Sequence, residues 1–195
     1  MKIFQERILK DGIVVNNSAI DVSSFITRQI DSNLMAKCAQ KIAKYYSDKH
    51  IDRIVTIESG GIAISMLVSV ILHVPLVVMK KQRSILDPDD MLISKVYSFT
   101  KAAEYELSCF ASHIHPDEKV LFVDDVLAFG NAVNGVIDIL KQANARLAGC
   151  AFLLEKSFQP GRKILDDADI DVLSLARLAS LKNGIEFVSE ASLRS

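Results

Sequence analysis

Apolar positions along the chain follow two periods. Arg53–Glu58, Leu76–Met79, Lys119–Asp125, Ala148–Leu154 and Val172–Leu178 are short, almost continuous apolar runs rich in β-branched residues, the pattern of strands covered on both faces. Other segments repeat at helical spacing: Asn33–Tyr46 follows Asp31-Ser32 with Leu34, Cys38, Ile42 and Tyr45 in step, and Asn131–Gln142 sets Val133, Val136, Ile137 and Leu140 on one face. Strands and helices in alternation predict an α/β fold, a parallel sheet flanked by helices.

One stretch is open to a different reading. Gly60–Met79 runs twenty residues without a charge, the length of a membrane span. Ser65, Ser69, His73 and Pro75 fall inside it, where hydrocarbon penalises polar groups and proline interrupts the helical ladder. The expectation is therefore a helix over Gly61–Leu72, ended by His73-Val74-Pro75, feeding the strand Leu76–Met79. Residues 1–31 carry mixed signals ahead of the first predicted helix and are expected to form a small N-terminal hood. Residues 82–92 form a polar, proline-containing loop before a predicted hairpin, Ile93–Thr100 against Tyr105–Ala111. Long loops in compact domains are usually functional or mobile, so residues 82–100 are expected to serve as an active-site loop and hairpin within one domain spanning 1–195.

Composition narrows the function classes. The 195 residues are 50% hydrophobic and 24% charged, too apolar for a disordered chain. Lys+Arg number 23 against 24 Asp+Glu, which leaves no global positive field for nucleic acid or an anionic membrane, so a charged ligand must meet a local site. Aromatics are 7% with no tryptophan, which offers no stacking platform for single strands. Cys38, Cys109 and Cys150 are odd in number and widely spaced, with no CxxC pair, which argues against a disulfide framework or zinc knuckle and for a reducing cytoplasm. The first residues, MKIFQER, lack the apolar segment of a secretory signal. His113-Ile114-His115 lacks a nearby third ligand and reads as a solvated loop.

The candidate chemistry lies where predicted strands end. Val120-Leu121-Phe122-Val123-Asp124-Asp125 delivers two adjacent carboxylates to the carboxyl end of a strand, and the turn Val126-Leu127-Ala128-Phe129-Gly130 leads into the helix at Asn131-Ala132. Ligands of open α/β sheets collect at that edge, where a helix N-terminus offers unpaired amides to an anion. The pattern suits a sugar phosphate: carboxylates accept from vicinal hydroxyls while the amides of residues 128–132 hold the phosphate. Ile57-Glu58-Ser59-Gly60-Gly61 repeats the strand-to-helix arrangement, with glycines that let backbone approach a ligand. Lys80-Lys81 follows the next strand and sets two cations beside both anion sites. Neither GxxxxGK[ST] nor a GxGxxG after a strand is present, against P-loop and dinucleotide-binding domains.

Asp124-Asp125 with the 128–132 loop resembles the phosphoribosyl diphosphate (PRPP) motif of type I phosphoribosyltransferases. The resemblance extends along nearly the whole chain to the bacterial xanthine phosphoribosyltransferases, through Asp11-Gly12, Phe25, Gln29-Ile30-Asp31, Val55–Ser59, Val96–Lys101 and Glu155-Lys156-Ser157-Phe158-Gln159-Pro160-Gly161-Arg162. It implies the type I phosphoribosyltransferase fold and transfer of 5-phosphoribose from PRPP to N9 of a purine in purine salvage, with Mg²⁺ carried on the diphosphate, in a cytoplasmic homodimer that binds neither nucleic acid nor membrane. By the same resemblance Asp124 and Asp125 would hold the ribose hydroxyls, Ala128, Phe129, Gly130, Asn131 and Ala132 the 5'-phosphate, and Glu58, Ser59, Gly60, Lys80 and Lys81 the pyrophosphate with its metal. The loop from Gln82 to Tyr97 would close over the site, and Asp124, Asp125, Lys81 and Tyr97 would be its catalytic residues. Ile20, Thr27 and Lys156 would contact the base, Lys156 as a donor to a 6-oxo group, which favours xanthine or guanine over adenine. The family commonly has Asn at 129, Asn at 27 and Leu at 20, where this chain has Phe129, Thr27 and Ile20. Those departures leave open the choice among xanthine, guanine and hypoxanthine, and also a paralogue that senses PRPP without chemistry or has lost its binding.

Overall fold

The computed structural model describes residues 1–82, 88–98 and 103–189. In chain order the elements are α1 (Lys2–Asp11), β1 (Ile13–Val15), β2 (Ala19–Asp21), α2 (Ser32–Tyr46), β3 (Arg53–Ile57), α3 (Ile62–Leu72), β4 (Leu76–Met79), β5 (Met91–Ser98) and β6 (Ala103–Phe110). They continue with β7 (Lys119–Leu127), α4 (Asn131–Gln142), β8 (Arg146–Lys156), α5 (Gly161–Asp167), β9 (Val172–Ser180) and β10 (Glu186–Phe187). Six strands form the central sheet in the order β10-β9-β8-β7-β3-β4, parallel except for β10 at one edge.

Period-two burial explains why the sheet is covered twice. Ile54, Leu121, Val123 and Leu153 face a core shared with α1, α2 and α3. Their neighbours Val55, Phe122 and Phe152 face a second core built with α4, α5 and the β5–β6 hairpin. Both faces are apolar, hence the continuous runs in the sequence. The twenty-residue uncharged stretch splits as expected into α3 and β4, with His73 in the left-handed conformation capping the helix. No helix among the described residues is long and apolar enough to cross a membrane. Cys38, Cys109 and Cys150 are buried free thiols, and burial pushes Cys38 up to about 12 and Cys109 up to about 11.

Several expectations are corrected by the structure. Residues 1–31 do not precede the first helix, because α1 lies within them: only Phe4 and Ile8 are buried, a one-turn stripe too narrow to stand out among Lys2, Glu6, Arg7 and Asp11. The helix expected to begin at Asn33 begins at Ser32, with the Asp31 carboxylate accepting from the Leu34 amide at 3.0 Å. Tyr46 rather than Tyr45 enters the core, and Ile139 rather than Ile137 completes the buried stripe of α4. Strand β7 continues to Leu127 and β8 to Lys156, so both aspartates lie within a strand. The hairpin begins at Met91 and pairs Val96 with Tyr105, so much of the expected loop from Gln82 to Tyr97 is strand. Residues 83–87 and 99–102, including Phe99-Thr100-Lys101, lie outside the described residues.

The Tyr46 hydroxyl donates to the Cys150 carbonyl at 2.9 Å, and its ring lies so close to Gly149 that a Cβ there would meet Cε1 at 2.7 Å. Tyr46→Phe leaves that carbonyl without its donor and is expected to cost about 1–2 kcal/mol. Urea denaturation would show a lower midpoint with an unchanged slope.

Candidate active site

The chain leaves β3 through α3 to β4 on one side, then returns through β7 to the other side of β3. Loops leaving β3 and β7 therefore diverge and open a crevice at their carboxyl ends, where open α/β sheets bind ligands. A cavity of about 590 Å³ lies there. Of the residues singled out in the sequence, Glu58, Ser59, Lys81, Tyr97, Asp124 and the whole segment Ala128–Ala132 line it.

The two strand ends are packed so tightly that only glycine fits between them. A Cβ on Gly60 would run into the Asp125 carboxylate, and one on Gly61 into Thr56 Oγ1 and Asp124 Oδ1. Asp124, beside Gly61, also lines the cavity, whereas Asp125 is packed against Gly60 and does not. Burial, reinforced by the charge of Asp125, raises the Asp124 carboxyl well above its ordinary value. Burial also raises Asp125, and in both cases the Lys81 ammonium works in the opposite direction. Two adjacent carboxylates with raised pKa values make a site poised for hydrogen-bond donors or a cation.

The remaining groups divide by role in the geometry. Burial opposes ionisation of Glu58, but the Lys80 ammonium at 2.9 Å and the Lys81 amide at 2.8 Å outweigh it and hold the carboxyl below its usual value. Lys80 is therefore spent on Glu58 and does not line the cavity, whereas Lys81 does, with its ammonium 5.9 Å from the Tyr105 ring centroid. The Glu58-Ser59 peptide is cis.

At the other strand end, Gly130 takes φ +88°, a conformation that suits glycine, and turns the chain into α4. The Asn131 side chain donates to the Tyr97 carbonyl at 2.9 Å, and Lys80 and Ser108 exchange backbone bonds of 2.9 Å, so the β5–β6 hairpin is bonded to the start of α4 and to the end of β4. Tyr105 and Glu104 also line the cavity, and the sequence reading did not select them. The hairpin register that turns Tyr105 toward Lys81 is the signal that would have found Tyr105.

The residues expected at the base are not part of this cavity. Lys156 ends β8 and donates from Nζ to the Ser18 carbonyl at 3.4 Å, in the turn between β1 and β2, while burial lowers its pKa. Ile20 lies on β2 beside that turn, and Thr27 is exposed in the segment that follows, its amide donating to the Ser23 carbonyl at 3.4 Å. No group of three or more His, Cys, Asp or Glu among the described residues forms a metal site, His113 and His115 included.

A phosphoribosyl transferase domain model matches residues 27–179. The chain is 41% identical over 184 residues to the xanthine phosphoribosyltransferase of Streptococcus uberis, covering 94% of this chain and 95% of that protein. It is 42% identical over 191 residues to that of Acinetobacter baylyi, covering 97% and 100%. Among solved structures, adenine phosphoribosyltransferase from Rhodothermus marinus superposes with a TM-score of 0.74 at 21% identity, covering 91% of this chain and 100% of that one, a likeness of fold. Matched over most of its length by the family model and at about 40% identity by these relatives, the chain belongs to the phosphoribosyltransferase family and has the type I fold.

Proposed function

We propose that this protein transfers 5-phosphoribose from PRPP to N9 of xanthine, giving xanthosine 5'-monophosphate and pyrophosphate in purine salvage. The observation that carries the reading is the crevice between β3 and β7, where two loops able to hold anions face each other across a cavity lined by Asp124. PRPP carries an anion at each end and hydroxyls between. The amides of Ala128, Phe129, Gly130, Asn131 and Ala132 take the 5'-phosphate, and the Phe129 side chain does not remove them, because none of these residues is proline. Asp124, which lines the cavity, takes the ribose hydroxyls with Asp125 packed against Gly60 beside it, and Glu58, Ser59 and Lys81 face the pyrophosphate, with Lys80 acting through its ion pair to Glu58.

Breaking the C1–pyrophosphate bond builds positive charge on the ribose and negative charge on the leaving group. Catalysis is then positioning plus electrostatics: carboxylates beside the ribose, and the Lys81 ammonium beside the departing oxygens. Tyr97, on the hairpin above the loop, helps exclude water from the activated sugar. Carboxylate oxygens suit Mg²⁺, so Asp124, Asp125 and Glu58 would hold an ion carried on the diphosphate, which would supply positive charge to the leaving group. Lys156, with Ile20 and Thr27, recognises the base beneath the hood formed by residues 1–31 of a single domain. The similarity to xanthine phosphoribosyltransferases over 94–97% of the chain supports xanthine as the base; a cytoplasmic homodimer is part of the same proposal.

Incubation with PRPP, Mg²⁺ and each of xanthine, guanine, hypoxanthine and adenine tests the reading. Nucleotide and pyrophosphate are expected to form fastest with xanthine. No product from any base would refute the enzyme, and a preference for adenine would refute the role given to Lys156.

A further inference from the structure

Among the described residues, Glu155 is the charged side chain with no exposed surface. It uses its full acceptor capacity. Oε1 accepts from Ser157 Oγ at 2.6 Å and Arg177 Nε at 2.7 Å, and Oε2 accepts from Ser174 Oγ at 2.6 Å and an Arg162 guanidinium nitrogen at 3.2 Å. A buried ion network of this kind is a weak source of stability, because well-packed apolar residues of similar volume often do as well or better. Its place in the fold points to a different use.

Glu155 is paired in register with Leu127, which leads into the phosphate loop, and is followed directly by Lys156. One arm of the network reaches Ser157, behind Lys156, where the Ser157 amide donates to the Leu178 carbonyl and the Gln159 amide closes a turn on the Lys156 carbonyl, both at 2.9 Å. The other arm reaches Arg162 in the first turn of α5. There the Gly161 amide donates to the Ala128 carbonyl at 3.0 Å, and a Cβ on Gly130 would lie 3.1 Å from Gly161 Cα. One carboxylate therefore braces the lysine assigned to the base and the loop assigned to the 5'-phosphate.

We propose that Glu155 is a positioning residue that holds base recognition and phosphate recognition in one frame, setting the distance between purine and ribose. The inference rests on the assignments of Lys156 and residues 128–132 made under the proposed function. Its two arms act on different substrates, which a purely structural network would not do.

The test compares wild type with Ser157→Ala, Arg162→Met and Glu155→Gln, measuring KM and kcat for both substrates, Kd for each by calorimetry, and Tm. Ser157→Ala is expected to weaken xanthine about threefold to tenfold with PRPP within about twofold, and Arg162→Met to do the reverse. Glu155→Gln weakens both. Equal changes for both substrates in either single-arm variant, or unchanged constants with only a lower Tm, would overturn the proposal. If Glu155→Gln does not fold, the single-arm variants decide. If wild type forms no nucleotide from any base, the functional reading fails instead, and the PRPP Kd of Arg162→Met still decides: an affinity equal to wild type overturns the brace.

Discussion

Replacing Asp124 and Asp125 together by asparagine is expected to lower kcat/KM by about 100- to 1000-fold, roughly 3–4 kcal/mol of transition-state stabilisation, while leaving the fold intact. The same change should raise stability at neutral pH. Both carboxyls are raised above their ordinary value of 3.8, Asp124 chiefly by burial and then by Asp125, Asp125 chiefly by burial. The folded protein therefore holds protons that the unfolded chain releases, and stability contributed by these groups is present below pH 3.8 and is lost as pH rises through the raised folded values. Thermal melts across that range should show wild type losing stability relative to the double asparagine variant as pH increases. Nucleotide formation at the wild-type rate would show that the carboxylates serve only the packing of Gly60 and Gly61.

Lys156→Met carries the second large effect. A hydrogen bond from a charged donor contributes about 1.5–3 kcal/mol, so kcat/KM for xanthine should fall roughly 10- to 150-fold while the KM for PRPP stays within about twofold. Burial holds the Lys156 amine below its ordinary value of 10.5. The positive charge on this donor is then lost as pH rises toward that value, weakening its hydrogen bond, and the KM for xanthine should climb there more steeply in wild type than in the methionine variant. Steady-state kinetics with each substrate varied in turn, at neutral and alkaline pH, checks both parts. A fall shared equally by PRPP and xanthine would mean that Lys156 supports the loop network through Glu155 and does not read the base.

Much of the machinery was legible before any fold was known because it is local. The run Val120–Asp125 followed by Gly130 and an amphipathic helix states a strand, two carboxylates and an anion-binding turn within a few residues. Arg53–Glu58 with Gly60-Gly61 likewise states a strand, one carboxylate and a strand-to-helix turn. Periodicity found β4 and α4 to the residue because apolar and β-branched runs there are bounded by proline, glycine or lysine. It missed α1, whose two buried residues are too few to make a stripe, and α5, whose seven residues leave Leu165 as the only buried large side chain.

Spacing along the chain says which residues leave the same strand but not which strands are neighbours. That β3 pairs with β7 as well as β4, and so opens the crevice between Glu58 and Asp124, is a long-range fact of sheet order. It also decided that Lys80 is spent on Glu58 while Lys81 faces the cavity, and that Tyr105, forty-seven positions from Glu58 in the sequence, stands beside Lys81. The sequence by itself determined the alternating architecture and the chemical groups at each strand end, because these depend on side-chain periodicity and local turn chemistry. Only the tertiary structure decided which of those groups share charge, which are consumed by partners, and that the buried Glu155 braces two distant loops, because such pairings depend on packing across strands that no local pattern encodes.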